Sequence, residues 1–373
     1  MRPVRSRSEK KRFLNLPWQI YRDYPAWVPP LRQNQKELVG YSRHPFYERG
    51  SIETFLAWRN GKPCGRIAAI DNPTHNEVHP NEQRGFIGFF ECENDQGVAN
   101  QLFDAACGWL EEHGHKAIRG PVNPSINYEV GLLTDAYDVR PTFLLTYNPP
   151  YYVELWENYG FQGVQDLYTF LGEKTRLDTL KEKIRFIAEH ATERLGIQLR
   201  PLDKRNFKKE VRNFLGIYNT ALVGSWGFCP LSDNEVEHFA ASLQHLIVPE
   251  LTILAEIDGE TIGCMFGLLD FNPRIKKIDG KLFPLGFLQL LRNRKELKRL
   301  RMVSTNVSPE YQRWGVGAVL AIEMLDIGLE WGVEQGEFSW VLESNTLSRK
   351  TLEKAGMIRE KTHRVYDFVK KSA

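Results

Sequence analysis

The chain has 373 residues, of which 42% are apolar and 26% charged, and its net charge at pH 7 is +2. This composition is typical of a globular protein, and it gives no reason to expect nucleic acid or an anionic membrane as a partner. No apolar run reaches about 18 residues, which argues against a membrane span. The basic N-terminus is followed by more charge rather than an apolar stretch, so no secretory signal is predicted.

The five cysteines are scattered, with no closely spaced pair. This pattern fits a reducing compartment and argues against a disulfide framework and a zinc site. The histidines form two close pairs, His75 with His79 and His113 with His115, which we interpret as surface loop positions rather than metal ligands. The sequence therefore predicts a cytoplasmic protein without a metal.

A pair of hairpin turns indicates that the chain repeats itself. Residues 55–65 and 253–263 both read as strand, tight turn and strand, and they lie 198 positions apart. Their turns, Asn60-Gly61 and Asp258-Gly259, are strong hairpin signals because these residues accept a positive φ. The repeat predicts two halves with the same order of elements.

The same offset returns at the end of each half. A short helix is predicted to end at Gly160 and again at Gly356, since glycine suits the left-handed C-terminal position. Strands carrying Tyr168-Thr169-Phe170 and Tyr366-Asp367-Phe368 follow, again 198 residues apart. We interpret the chain as a duplication.

Each half is predicted to hold a hairpin, a third strand, a helix, another strand, a helix and a final strand. In the second half the strand is expected at 302–308, the helix at 316–332 and the next strand at 337–342. A strand–helix–strand order implies a parallel pair, whereas the hairpins are antiparallel. The fold class is thus α+β or α/β, with two tandem domains that each hold a mixed, mostly antiparallel sheet flanked by helices.

The predicted domains are residues 1–172 and 199–373, joined by a connecting segment at 173–198 that contains a charged helix at 181–195.

A loop with two glycines carries the clearest chemical signal. The strand must stop near Pro309, which has no N–H for a sheet ladder. The first turn of the next helix has unpaired N–H groups and a partial positive charge, which attract anions. Gly315 and Gly317 let phosphate oxygens approach the backbone, and Arg313 adds a cation.

This loop resembles the Q/R-x-x-G-x-G/A motif of the GCN5-related N-acetyltransferases, the GNAT superfamily. Gln312, Gly315 and Gly317 occupy its three defining positions. The resemblance covers residues 196–373 well and 50–170 weakly, so the whole looks like a tandem GNAT protein. It implies acetyl-CoA or another acyl-CoA as cofactor, held by Asn306, Val307, Gln312, Arg313, Trp314, Gly315, Val316, Gly317, Ala318 and Asn345. Asn345 has the alternative interpretation of a simple helix N-cap.

The corresponding loop of the first half has become acidic. Gly97 and Ala99 keep the glycine spacing, but Glu91, Glu93 and Asp95 place negative charge where a diphosphate would sit. Such charges oppose phosphate binding. The first half is therefore predicted to be a structural partner.

The catalytic signal is thinner. Many GNAT enzymes protonate the coenzyme A thiolate with a tyrosine four residues before the glycine at the end of the last helix. This chain has Leu352 at that position, and leucine cannot donate a proton. Glu343 is a candidate general base that faces the acceptor. The alternative is that it is a solvent-exposed carboxylate at the end of the strand, without a catalytic role. Ser344 and Ser348 are candidates for positions near the thiol.

Three aromatic residues that lie close to prolines or a glycine are predicted to line the acceptor pocket. Tyr128 and Tyr151 lie in the first half, and Trp226 follows the first helix of the second half. The alternative is that these aromatic side chains pack an interface.

An apolar and basic insertion, residues 276–301, has three interpretations: an amphipathic helix that covers the sheet, a contact with the 3′-phosphate of coenzyme A, or a membrane contact. We favour the first.

The combined pattern predicts an acyl-CoA-dependent N-acyltransferase, with acetyl-CoA as donor and a small amine or amino-acid-like molecule as acceptor. Two alternatives remain, a non-catalytic acyl-CoA sensor and an aminoacyl or long-chain acyl transferase. Acyl length, acceptor and oligomeric state stay open.

Overall fold

A computed structural model describes residues 1–174 and 178–369. The helices within those ranges are α1 Arg7–Asn15, α2 Pro17–Ile20, α3 Arg32–Leu38, α4 Pro73–Val78, α5 Gln96–Glu112, α6 Tyr152–Tyr159, α7 Asp178–Leu195, α8 Phe207–Ala221, α9 Asp233–Leu243, α10 Asn272–Lys277, α11 Gly286–Leu291, α12 Val316–Trp331 and α13 Thr346–Lys354. The strands are β1 Arg2–Pro3, β2 Ser51–Arg59, β3 Lys62–Asp71, β4 Arg84–Cys92, β5 Ala117–Gly120, β6 Val122–Asn123, β7 Glu129–Val130, β8 Leu132–Leu133, β9 Gln162–Glu173, β10 Gln198–Pro201, β11 Thr252–Ile257, β12 Glu260–Leu269, β13 Arg299–Val307, β14 Gln335–Leu342 and β15 Ile358–Val369.

The chain divides into two compact units. The first unit comprises Met1–Leu167, Asn272–Gln289 and Lys361–Ala373, and the second comprises Tyr168–Phe271 and Leu290–Glu360. These boundaries differ from the predicted ones at residues 172 and 199, because the units follow spatial contacts rather than the sequence repeat. The largest part of β15 thus belongs to the first unit, and the end of β9 belongs to the second.

The sheet of the first unit has the strand order β1-β2-β3-β4-β5-β15. All its pairs are antiparallel except β4 with β5, which α5 connects. In β15, Tyr366 lies opposite Gly120 of β5. The predicted hairpin is present, with positive φ at both Asn60 and Gly61.

The core of the first unit lies between this sheet and α5. The helix buries Val98, Leu102 and Phe103, residues that share one side of a 3.6-residue period. Phe103 stacks on Phe90 of β4 with ring centroids 5.0 Å apart, and Trp156 is completely buried beside both. Aromatic burial of this extent makes the first unit a well-packed body.

The sheet of the second unit has the order β9-β14-β13-β12-β11-β10. β13 and β14 are parallel and α12 connects them, as the sequence predicts. Gly263 of β12 faces Val316 of α12, whereas Phe266 faces Phe214 of α8. Because successive residues of a strand point to opposite faces, α8 and α12 cover opposite faces of this sheet.

Three sequence predictions about single segments have clear outcomes. The charged helix expected at 181–195 is present as α7. The surface interpretation is wrong for His75 and His115, which are both buried. The His75 ring packs against Phe86 and His79, and the His115 ring lies 2.9 Å from an Asp71 carboxylate oxygen. The interpretation of 276–301 as a helix covering the sheet is wrong in part. The segment holds only the end of α10, the six-residue α11, a short 3-10 turn and the start of β13, and Phe283, Leu285 and Leu288 are exposed.

Within residues 1–174 and 178–369, no helix is long and apolar enough to cross a membrane. Over the same ranges, no three His, Cys, Asp or Glu side chains are grouped so that they can hold a metal ion.

Candidate functional site

The parallel strands β13 and β14 separate part-way along their length. Their pairing begins with Arg299 opposite Gln335 and ends with Met302 opposite Phe338, whereas β13 continues to Val307. The described chain offers the last five residues of β13 no strand partner on the side of β14. Those of their N–H and C=O groups that are not bonded to β12 or to the Gln312 side chain are thus available to pair with an extended molecule that carries amides.

A short loop leads from the end of β13 into α12. The N–H of Ser308 donates to the carbonyl of Ile262 at 2.8 Å, so the strand end is fixed to β12. The side-chain amide of Gln312 donates to the carbonyl of Val307 at 3.2 Å and to that of Ala221 at 3.4 Å. Gln312 therefore ties the loop both to the end of β13 and to the C-terminus of α8.

The N-terminus of α12 is open. Gly315 occupies the N-cap position with φ +89° and provides no side-chain cap. A Cβ atom added at Gly317 would meet no atom within 4 Å. The first-turn N–H groups of a helix generally lack an intrahelical acceptor and can receive an anion, although here the N–H of Ala318 donates to the carbonyl of Gly315 at 2.9 Å.

Helix α7 packs beside this loop. A Cβ atom added at Gly315 would lie 3.0 Å from the Cβ atom of Ala191, and the guanidinium of Arg194 lies 4.4 Å from the ring centre of Trp314. Arg185 holds α7 to α12 through a 2.8 Å ion pair with Asp326. Arg194 was not identified in the sequence analysis. Its position in the last turn of a charged helix could have indicated it as a candidate cation.

The equivalent helix of the first unit is capped by its own carboxylate. Asp95 accepts the N–H of Val98 at 3.0 Å and forms an ion pair with Arg59. These hydrogen bonds, together with the Arg59 charge, hold the pKa of Asp95 below its usual range. A bound carboxylate thus occupies the position that α12 leaves open.

The space between β4 and β5 is also filled from within the chain. A Cβ atom at Gly88 would lie 1.7 Å from the carbonyl oxygen of Val122. The side-chain oxygen of Asn123 accepts the N–H of Phe89 at 2.6 Å. At the edge of β4 that corresponds to the free edge of β13, the Phe89 N–H is therefore already bonded, and the Val122 carbonyl fills the space beside Gly88.

Glu91 does not lie at the helix start as the sequence suggested. Its carboxylate is buried, 3.3 Å from the Arg66 guanidinium, and accepts the Tyr152 hydroxyl at 2.7 Å. Burial raises the pKa of Glu91. Strand alternation explains the difference, since every second residue of β4 points to the other face.

Comparisons with known proteins agree with this geometry. The model of the acetyltransferase (GNAT) family matches residues 211–357, which include β13, the loop and α12. Over 98% of its length the chain is 34% identical to a protein named bacterial ceramide synthase from Caulobacter vibrioides, of which it covers 96%. The chain belongs to the GNAT family. It is therefore an N-acyltransferase that takes its acyl group from an acyl-CoA.

Solved GNAT structures share the fold. A tandem GNAT protein from the clavulanic acid biosynthesis pathway has a TM-score of 0.56 at 10% identity, covering 100% of this chain and 98% of that one. A GCN5-related glucosamine N-acetyltransferase region of a fungal multi-domain β-N-acetylglucosaminidase gives 0.58 at 14% identity, covering 98% of this chain and 38% of that one. The predicted tandem GNAT fold is confirmed.

The predicted GNAT catalytic residues lie at the end of β14. Glu343 and Ser344 are exposed there, and Asn345 caps α13 by accepting the N–H of Ser348 at 3.1 Å. Their roles in the reaction stay predictions. Leu352 is buried against Tyr168 and contributes to packing.

The predicted acceptor residues fall into both units. In the first unit, the Tyr151 hydroxyl donates to the carbonyl of Cys92 at 2.8 Å, and Tyr128 packs edge-on against His44. In the second unit, Trp226 is half-buried in the loop between α8 and α9. An acceptor role stays a prediction for all three.

A cluster of aromatic side chains, not predicted from the sequence, lines α8 beside β12. Phe214 contacts Phe266 and Tyr218 with centroid distances of 6.0 Å, and Tyr218 contacts Phe228 at 6.4 Å. Burial raises the pKa of Tyr218 to about 12, so its phenol stays neutral at physiological pH. Phe266 lies opposite Ser304, just beyond the point where β13 leaves β14.

Proposed function

We propose that the second unit transfers a long acyl chain from acyl-CoA to the amino group of a long-chain amino alcohol, producing a ceramide-type amide. The full-length similarity to the protein named bacterial ceramide synthase carries this proposal. The alternative predicted from the motif alone, an acetyl group and a small polar amine, is the competing possibility.

The donor is held by the backbone in this proposal. Its diphosphate accepts hydrogen bonds from backbone N–H groups at the start of α12, around Gly315 and Gly317. Arg313 and Arg194 are the nearby cations. Its pantetheine amides pair with the free edge of β13, including Asn306 and Val307. The separation of β13 from β14 then leaves room for the thioester.

The aromatic cluster of α8 forms the apolar side of the acceptor site. Phe214 and Tyr218 are partly exposed and present hydrocarbon surface, and Phe214 contacts the buried Phe266 of β12. An alkyl chain gains free energy from leaving water there, at about 25 cal/mol for each Å² buried. A small polar amine gains nothing comparable.

The reaction itself is a direct acyl transfer. The amine nitrogen attacks the thioester carbonyl, a C–N bond forms and the C–S bond breaks. The nitrogen loses one proton, for which Glu343 is the proposed base, and the thiolate of coenzyme A gains one. Ser344 and Ser348 remain the proposed residues near the sulfur. The scattered cysteines, which form no disulfide in the described part of the chain, support a cytoplasmic location for this reaction.

A substrate panel tests the proposal. The purified full chain is incubated with palmitoyl-CoA or acetyl-CoA, each with sphinganine or glucosamine, and the amide product and free coenzyme A are measured by mass spectrometry. We expect product with palmitoyl-CoA and sphinganine. Turnover only with acetyl-CoA and glucosamine would overturn the acceptor class, and coenzyme A binding without any turnover would favour a sensor.

A further inference from the structure

Three large apolar side chains are exposed within six residues of the first unit. The exposed fractions are 82% for Phe283, 61% for Leu285 and 64% for Leu288. Single exposed apolar residues are common on protein surfaces, but a contiguous group marks an interaction site. We call residues 281–289 the apolar loop.

The apolar loop has a fixed shape. The N–H of Gln289 donates to the carbonyl of Leu285 at 3.3 Å, so the helical turn includes Leu285. Residues three apart on a helix lie on one side, which places Leu285 and Leu288 together. A Cβ atom at Gly286 would lie 1.9 Å from the carbonyl oxygen of Lys281, so the loop closes tightly on itself.

The base of the loop is anchored to the N-terminal part of the same unit. Asp279 accepts the indole N–H of Trp18 at 2.5 Å and pairs with Arg32 at 2.8 Å. The N–H of Arg32 donates to the carbonyl of Gly280 at 3.1 Å. Exposure of apolar side chains to water is unfavourable. These contacts at the base of the loop keep it in this conformation.

Basic side chains flank the loop. Lys276, Lys277 and Lys281 are exposed, and Asp279 is the single acidic residue among positions 272–289, where it pairs with both Arg32 and Lys281. Residues 272–289, the part of the first unit that carries the loop, contain four basic side chains and one acidic side chain. Positive charge is therefore in excess beside the apolar loop.

We propose that the apolar loop docks the protein onto the surface of an anionic lipid bilayer. Phe283, Leu285 and Leu288 enter the boundary between headgroups and acyl chains, and the flanking lysines contact anionic headgroups. Exposed apolar side chains beside basic residues bind this boundary by combining apolar burial with electrostatic attraction. This surface requires neither the acyl transfer nor a lipid acceptor, so it stands independently of the proposed function.

Charge favours a bilayer over a second copy of the chain. In a twofold dimer the same patch meets itself, which would bring Lys276, Lys277 and Lys281 of both copies together. Like charges at close range oppose that contact, whereas anionic headgroups relieve it.

Vesicle co-sedimentation of the full chain tests the proposal. We expect binding to vesicles that contain equal parts of phosphatidylcholine and phosphatidylglycerol, little binding to phosphatidylcholine alone, and release as salt is raised. The triple variant Phe283→Ser, Leu285→Ser, Leu288→Ser should lower the bound fraction on the order of tenfold. A second variant, Lys276→Glu, Lys277→Glu, Lys281→Glu, should lower it without removing apolar surface.

The matched control changes three exposed valines elsewhere in the first unit, Val78, Val164 and Val369, to serine. It should bind vesicles as the native chain does, and melting curves check that each variant folds. Absence of binding by the native chain, equal binding to neutral vesicles, or equal loss in the control would overturn the proposal. A dimer that the apolar variant converts to monomer, without vesicle binding, would assign the loop to self-association instead.

Discussion

The carbonyl oxygen of Val122 lies only 1.7 Å from the place that a Cβ atom at Gly88 would occupy. This contact brings the chain's own backbone against β4, where the second unit keeps the corresponding edge of β13 free. Together with the Asp95 cap on α5, it closes in the first unit the two features that the proposed donor site of the second unit requires, a free strand edge and an open helix N-terminus.

Gly88→Ala should lower the free energy of unfolding by about 3 kcal/mol, because the clash involves backbone that cannot move aside. Urea denaturation followed by circular dichroism measures the change. Gly108→Ala is the control, since a Cβ atom there meets open space in the middle of α5 and should stabilise by up to about 1 kcal/mol. A Gly88→Ala protein as stable as the native chain would contradict the close approach.

Gly317→Glu should weaken coenzyme A binding strongly without harming the fold. The new side chain enters open space at the start of α12 and places a carboxylate near the proposed diphosphate position. At about 5 Å and an effective dielectric constant near 20, the repulsion is roughly 3 kcal/mol, or on the order of a hundredfold in Kd. Isothermal titration with coenzyme A measures this.

The first unit provides the matched control for that variant. Gly97→Glu adds the same charge at the exposed second residue of α5, the helix position that Gly317 has in α12, and Asp95 already caps α5. We expect native affinity for coenzyme A. If both glutamates weakened binding equally, or if Gly317→Glu bound normally, the assignment of the donor site to α12 would be wrong.

Asn345 allows a cap to be separated from a ligand contact. Asn345→Ala should cost about 1 kcal/mol of stability because the Ser348 N–H loses its acceptor. Asn345→Ser should restore the stability, since serine also caps helices, but it should not restore coenzyme A affinity if the amide holds the donor. Thermal unfolding and calorimetric titration separate the two, and full affinity in the serine variant would leave Asn345 a cap alone.

Local turn chemistry made much of the fold predictable. Asn60-Gly61 and Asp258-Gly259 have the positive φ values that their hairpins require, and the strand–helix–strand order across α12 gave the parallel pair. Gly315 could be identified from the sequence because a glycine just before a helix has no Cβ atom and lets a phosphate approach the backbone. Such features depend on residues close together in sequence.

Features that depend on distant contacts escaped prediction. Tyr168-Thr169-Phe170 and Tyr366-Asp367-Phe368 have the same pattern, so nothing local reveals that the two strands end in different units. The filling of the β4 edge by Val122 is a backbone contact without a composition signal. The exposure of Phe283 was not predicted, because an apolar run usually indicates burial in the core.

His75 should make stability depend on pH. Its ring is buried against Phe86 and His79, and burial followed by the neighbouring His79 lowers its pKa from 6.5 to about 4. Between these values the unfolded chain binds a proton that the folded chain does not. This contribution is therefore complete above pH 6.5 and is lost as the pH falls towards 4, with an upper bound of about 3 kcal/mol.

Urea denaturation at pH 7.5 and pH 5.0 measures this loss, and His75→Gln should reduce it because glutamine cannot be protonated. The exposed His113→Gln serves as control and should keep the native pH dependence. The sign follows from the depressed pKa of a base: acid favours the unfolded state, in which the imidazole charges freely in water. An unchanged difference between the two pH values in His75→Gln would show that other groups cause the acid sensitivity.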